Sequence, residues 1–139
     1  MSQTPSSAVL IAAIAAGSAA GGVARFVLST MVQDRWSTSF PAGTLVVNGL
    51  GCLALGFISY LVLETGEFSP TTRALLTTGF CGGFTTFSTF AMETIRAAEE
   101  GALQRATLYV SSSVIAGLAG IWIGAAAARE MLSIIRRVA

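Results

Sequence analysis

Apolar residues in this chain run in four sustained stretches rather than alternating. They fall roughly at Ala8 to Met31, Thr44 to Leu63, Ala74 to Met92 and Thr107 to Ala128. Each is near the ~20 residues an α-helix needs to cross a ~30 Å hydrocarbon core, so the pattern predicts an all-α membrane protein with four transmembrane helices in one domain, residues 1–139. The polar interruptions are short. Val32 to Gly43 carries Asp34, Arg35 and Pro41, Glu64 to Arg73 carries Gly66 and Pro70, and Arg96 to Arg105 carries Glu99, Glu100 and Gly101. None could hold an extramembrane domain. Met1 to Ser7 is polar but has no Lys or Arg before the first apolar run, so it lacks the positive region of a secretory signal and the first stretch reads as a retained span.

The third stretch is unlike the others. Gly79-Phe80-Cys81-Gly82-Gly83-Phe84-Thr85-Thr86-Phe87-Ser88-Thr89-Phe90 mixes glycines, hydroxyls and phenylalanines at membrane depth. A lipid-facing helix must satisfy its own backbone hydrogen bonds, so Gly-Gly and Thr-Thr here predict a broken helix that lines a cavity or is buried in protein. Interrupted helices at mid-membrane are places where membrane proteins bind ions.

Composition sharpens the class. Charged residues are 11% of the chain and hydrophobic residues 53%, which excludes an ordinary soluble domain. A net charge of +1 supports neither a nucleic-acid surface nor a polybasic anchor. Cys52 and Cys81 lie within apolar spans and read as small hydrophobes, not as a redox or metal pair. There is no histidine, hence no imidazole switch near neutral pH. Gly79 to Thr85 lacks the Lys of a phosphate-binding loop, and no nucleophile and base constellation is present, so enzyme function has little support.

Loop charge is nearly balanced. With four spans, the side holding both termini and the second connection carries Arg73, Arg129, Arg136 and Arg137, against Arg35, Arg96 and Arg105 on the other. Either the terminal cluster fixes one orientation, or the chain inserts both ways and two copies assemble about an axis in the membrane plane. Ala13, Gly17, Gly21 and Arg25 repeat every four residues on the first span, and Ala116, Gly120 and Gly124 on the fourth. Such rows let helix backbones approach closely, within one chain or between two.

The polar residues within the spans are few. Arg25 either snorkels to the interface from near the helix end or supplies a fixed charge that draws anions to a vestibule. Asn48 offers amide donors and an acceptor with Thr44 one turn away, as helix-to-helix glue or as part of a path. Phe87 and Phe90 share a helix face with Glu93 three residues further on. Their electropositive ring edges could contact an anion weakly enough to release it; otherwise they are ordinary lipid-facing or core rings. Thr85, Thr86, Ser88 and Thr89 add O–H donors suited to a small hydrated anion. Tyr109 and Ser113, at i and i+4 of the fourth span, either extend a polar track or bond between helices.

Arg25-Phe26, Gly43-Thr44-Leu45-Val46-Val47-Asn48 and above all Gly79 to Phe90 resemble the signatures of the Fluc (CrcB) fluoride channels of bacteria, and the resemblance spans essentially the whole chain. It implies an antiparallel, dual-topology homodimer in the bacterial plasma (inner) membrane, with a broken third helix and two pores that passively export cytoplasmic fluoride and confer fluoride resistance. It implies that Phe87 and Phe90 line each pore through their ring edges and that Asn48 is the pore asparagine. Thr44, Ser88, Thr89, Glu93, Tyr109 and Ser113 match the polar track, and Arg25 matches a basic residue near the vestibule. A structural sodium ion at the dimer centre is implied, held by backbone carbonyls, with Gly82 and Thr85 as its ligands; carbonyl oxygens suit a hard cation. The partners implied are fluoride, the lipid bilayer and a second, oppositely oriented copy of the chain, with no nucleic acid. One position departs from the pattern. The resemblance leads one to expect a serine one turn after Ser113, where this chain has Gly117.

The competing class is a small dual-topology multidrug or cation antiporter. Its proton exchange requires a membrane-embedded carboxylate in the first span, which here carries Arg25 and no Asp or Glu. A non-transporting helical subunit would account for the glycines but not for rings and hydroxyls gathered at a helix break.

Overall fold

A computed structural model describes residues 5–36 and 39–138. The first four residues of the polar N-terminal tail, residues 37–38 of the first connection and residue 139 lie outside the described residues. Among the described residues the chain is helical, with no strand.

Helix α1 is Ser7–Trp36 and α2 is Ala42–Thr65, which stops at Gly66, whose φ of 65° is the left-handed conformation glycine adopts without strain. Ser69 then caps the next helix by accepting from Thr72 N at 3.1 Å, with Pro70 at its first turn. This helix, α3 (70–84), begins as α over Pro70–Ala74, widens into π-helical turns over Leu75–Cys81, and closes with Gly82–Phe84. After the break come α4, Phe87–Glu99, and α5, Leu103–Val138, separated by a tight turn with Gly101 at φ 74°.

Three of these helices, α1, α2 and α5, are long and apolar enough to cross a membrane. The remaining apolar stretch is divided between α3 and α4. The helices also run past the apolar stretches that predict them: α1 continues to Trp36 through Asp34 and Arg35, and α5 extends from Leu103 to Val138. Hydropathy marks the part of a helix that matches lipid, whereas backbone hydrogen bonding continues into water until a residue such as Gly66 or Gly101 ends it.

The small-residue rows are packing seams within the chain. Ala13, Gly17 and Gly21 are the buried residues of α1. A Cβ on Gly17 would lie 2.8 Å from Phe80 N, and one on Gly21 would lie 2.9 Å from Phe84 N, so α1 rests directly on the backbone of α3. On α5, a Cβ on Gly120 would lie 2.9 Å from Gly49 O and one on Gly124 would lie 2.8 Å from Phe57 N, both on α2. Without a hydrophobic driving force in lipid, such close contact supplies dispersion that side chains would prevent. At one end, Glu64 of α2 and Arg136 of α5 approach to 3.7 Å, continuing the parallel register in which Gly49 meets Gly120 and Phe57 meets Gly124. At the other, Gln33 donates to Phe40 O and accepts from Gly43 N, both at 3.2 Å, tying the end of α1 to the start of α2.

Candidate functional site: the broken helix and its polar track

Thr85 and Thr86 are both extended, with ψ 159° at Thr85 and φ −149° at Thr86. Thr85 N still donates to Cys81 O at 3.0 Å, so the helix holds to that point. Thr86 N does not reach the Gly82 carbonyl, its partner in a continuous helix, but donates to Asn48 Oδ1 at 2.8 Å. Asn48 Nδ2 in turn donates to Thr86 O at 3.1 Å. The side-chain amide therefore replaces the backbone partners that the break removes, which is what a low-dielectric interior requires.

Thr86 then starts the next helix. Its Oγ1 accepts from Thr89 N at 3.2 Å, donates to Thr89 Oγ1 at 3.0 Å and lies 3.3 Å from Ser88 Oγ. Thr86 is thus a buried hub between Asn48 and the exposed Ser88 and Thr89. The sequence names it only as one hydroxyl among several. The signal that could have singled it out is its position just before the apolar-periodic run of α4, where a Thr side chain caps the first turn.

One turn earlier on α2, Thr44 Oγ1 donates to Glu93 Oε1 at 2.9 Å. Tyr109 OH, fully buried on α5, donates to Glu93 Oε2 at 2.6 Å. The Phe90 ring lies between the rings of Phe87 and Tyr109, with centroids 5.7 Å and 5.2 Å away, and Phe40 meets Tyr109 edge-on at 5.6 Å. Three helices from distant parts of the sequence thereby bring Thr44, Glu93, Phe90 and Tyr109 into one cluster.

Three cavities surround this cluster. A groove of about 300 Å³ is lined by Asn48, Thr85, Phe87, Phe90, Ser113 and Gly117. A second, of about 220 Å³, gathers Arg25, Thr44, Thr86 and Thr89. A third, of about 340 Å³, opens beside Glu93 and Tyr109 and is bordered by Gln33, Arg96, Glu100 and Arg105. Arg25 therefore lines a polar cavity and has no ion-pair partner among the described residues. Ser113 Oγ is buried without a hydrogen-bond partner among the described residues, at the groove rather than at the Glu93 cluster. A Cβ on Gly117 would make ordinary contact with Cys52 Sγ at 3.6 Å, so the groove has room where a serine was expected.

Gly82 and Thr85 lie apart from the Glu93 cluster, at the end of α3. Gly82 is exposed and its carbonyl has lost the Thr86 N–H, while the Thr85 hydroxyl is turned back to Cys81 O at 3.0 Å. Phe87 is 80% exposed on the chain and Ser88 and Thr89 are exposed beside it, so the break presents a ring and two hydroxyls outward.

Fold and site together define a helical membrane protein with three membrane-length helices and an interrupted apolar segment that carries exposed rings and hydroxyls. Residues 12–125 match the family described as CrcB-like protein, Camphor Resistance (CrcB), and the chain belongs to that family. Among its relatives, the fluoride-specific ion channel FluC of Roseiflexus sp. (strain RS-1) is 45% identical over 121 residues, which cover 87% of this chain and 98% of that protein. The protein of the same name from Chlorobaculum tepidum is 48% identical over 111 residues, 80% of this chain and 87% of that one. That from Pseudomonas putida is 44% identical over 115 residues, 83% and 93% of the two chains. The family consists of membrane channels, not enzymes.

Proposed function

We propose that this chain is a fluoride-selective passive channel of the bacterial inner membrane, working as an antiparallel homodimer with two pores and protecting the cell by releasing cytoplasmic fluoride. The observation that carries the reading is the break at Thr85–Thr86, closed by two hydrogen bonds to Asn48 beneath Phe87 and Phe90. Family membership supplies the ion, because relatives that match nearly the whole chain carry the name fluoride-specific ion channel.

The chemistry of the site suits fluoride. A small anion with a tight hydration shell must exchange water for donors: Ser88 and Thr89 carry exposed hydroxyls, and those of Thr44 and Tyr109, now given to Glu93, lie further along. The rings of Phe87 and Phe90 add electropositive edges, which attract an anion without the permanent charge that would trap it. Asn48 holds the break open and Arg25 places positive charge at the cavity beside it. Ser113 carries a buried hydroxyl without a partner among the described residues, ready to meet an ion in the groove.

A second copy is favoured by what the single chain leaves exposed. In hydrocarbon, hydroxyls and a backbone interruption facing lipid carry a large desolvation cost, so Phe87, Ser88 and Thr89 call for a protein neighbour. Near-equal loop charge on the two sides allows that neighbour to be inverted, and the α3–α4 segment to serve as the fourth span. Gly82 and Thr85 fit a sodium ion at the junction: the Gly82 carbonyl lacks its helical donor, and carbonyl oxygens are hard ligands. When bound, sodium would supply positive charge that joins the two broken helices and offsets anion repulsion.

Fluoride efflux measured by electrode from liposomes containing the purified protein, with valinomycin to dissipate voltage and a matched chloride assay, tests the reading. Rapid fluoride loss without chloride loss is expected. Loss of both ions at similar rates, or of neither from a well-folded dimer, would overturn it.

A further inference from the structure

Glu93 is an anomaly in a path for anions, because its carboxylate stands where the ion must pass. Both of its oxygens are already occupied, by Thr44 Oγ1 at 2.9 Å and Tyr109 OH at 2.6 Å. Two O–H donors from different helices thus converge on one negative group, and these are the donors an incoming anion would need. Each hydroxyl has a single proton, so neither can serve the carboxylate and a passing ion at once.

Beside the carboxylate is the cavity of about 340 Å³. Water takes ~30 Å³ in the liquid, so the space accommodates a displaced carboxylate together with several waters. Its charged rim has a defined state. Arg105 is paired with Glu100, whereas Arg96 is exposed and has no ion pair among the described residues. Arg96 is three residues after Glu93 on α4, hence on the same face and within reach of it.

We infer that the Glu93 carboxylate is a tethered plug: it occupies an anion site built from the Thr44 and Tyr109 hydroxyls and yields to fluoride by swinging into the adjoining cavity toward Arg96. The inference rests on the channel reading above. The plug explains why a carboxylate belongs in the path, since a negative group can be displaced by another of the same sign, and why an unpaired arginine stands one turn away. It makes conduction depend on competition: fluoride must exceed the hold of two charge-assisted hydrogen bonds.

The test is the dependence of initial efflux on internal fluoride concentration for wild type, Glu93→Gln, Arg96→Gln and the double variant, each confirmed to assemble by size-exclusion chromatography. Conduction by wild type establishes the channel independently of the plug. A neutral amide binds the hydroxyls less strongly than a carboxylate, so Glu93→Gln should lower half-saturating fluoride by roughly tenfold. Arg96→Gln should raise it in the wild-type background and have no effect on Glu93→Gln. Half-saturation that is unchanged or raised in Glu93→Gln, or loss of conduction in an assembled Glu93→Gln protein, would overturn the plug. So would an Arg96→Gln effect that persists in the double variant and fades with added salt, because that is long-range steering. If Glu93→Gln does not assemble, Arg96→Gln alone decides: no change in half-saturation overturns the inference, and a rise that salt leaves intact sustains it.

Discussion

The seam between α2 and α5 and the break between α3 and α4 answer the same demand, to bury polar backbone in an apolar layer, with opposite chemistry. In the seam every helical hydrogen bond is kept and side chains are removed, so that Gly120 and Gly124 rest on Gly49 and Leu53. At the break the helical bonds are given up, and Asn48 and Thr86 replace them with side-chain donors and acceptors. At Gly120 and Gly124 the seam leaves no room for a side chain. The break leaves grooves, exposed hydroxyls and a carbonyl without its donor. Close packing and exposed polar groups are thus separated within one small chain, and the seam supplies the frame that holds the break in one geometry.

The largest effect should come from filling the seam. Gly124→Val places a side chain against Leu53 O and Phe57 N, backbone atoms that cannot move aside. Overpacking commonly costs ~1–3 kcal/mol and should cost at least that here, so purified protein should be largely lost or aggregated, as chromatography after extraction would report. A normal yield of functional protein would mean that the seam is looser than described.

Replacing the rings probes the other side of the comparison. Phe87→Ile and Phe90→Ile leave the seam alone and should assemble normally, yet each removes an electropositive edge worth ~0.5–1.5 kcal/mol per contact, slowing fluoride flux by about two- to tenfold. Unchanged flux in both would remove those rings from the path.

Asn48→Asp keeps the acceptor for Thr86 N but loses the donor to Thr86 O and adds negative charge beside the groove. Flux should fall, by less than with the ring variants if the break survives. Normal conduction would make Asn48 a pin for the break and nothing more.

The smallest effect should be Gly117→Ser. Its Cβ meets only Cys52 Sγ at 3.6 Å, so the change should leave assembly intact and add a hydroxyl to the groove that holds Ser113. Flux within about threefold of wild type is expected on the same efflux assay, as for a substitution near neutral in energy. Failure to assemble would show that the groove lacks the room described.

Particular residues show how far the sequence reaches. The sustained apolar runs mark the long helices α1, α2 and α5, because a span must be apolar along its whole lipid-facing length and that requirement is local. Gly-Gly and Thr-Thr announce an interruption in the third stretch for the same reason: glycine and the capping hydroxyls act on their own backbone. The Gly79 to Phe90 signature also identifies the family, and the match over residues 12–125 bears that out. The rows at Gly17, Gly21, Gly120 and Gly124 announce close packing but not the partner, since a small residue permits approach from any neighbour.

What the tertiary structure alone decided is which groups meet. Nothing in the spacing of Thr44, Glu93 and Tyr109 brings two hydroxyls onto one carboxylate, and nothing in Asn48 specifies that its amide pairs with Thr86, 38 residues away. Those bonds depend on how α2, α4 and α5 are turned against one another, which the glycine contacts fix. The prominence of Thr86 and the unpaired state of Arg96 are likewise invisible in one dimension, because a hydrogen-bond partner is a matter of distance in space. Sequence by itself determined the membrane class, the helix break and the family, all carried by local chemistry; the network that ties the break to α2 and α5 is long-range and belongs to the fold.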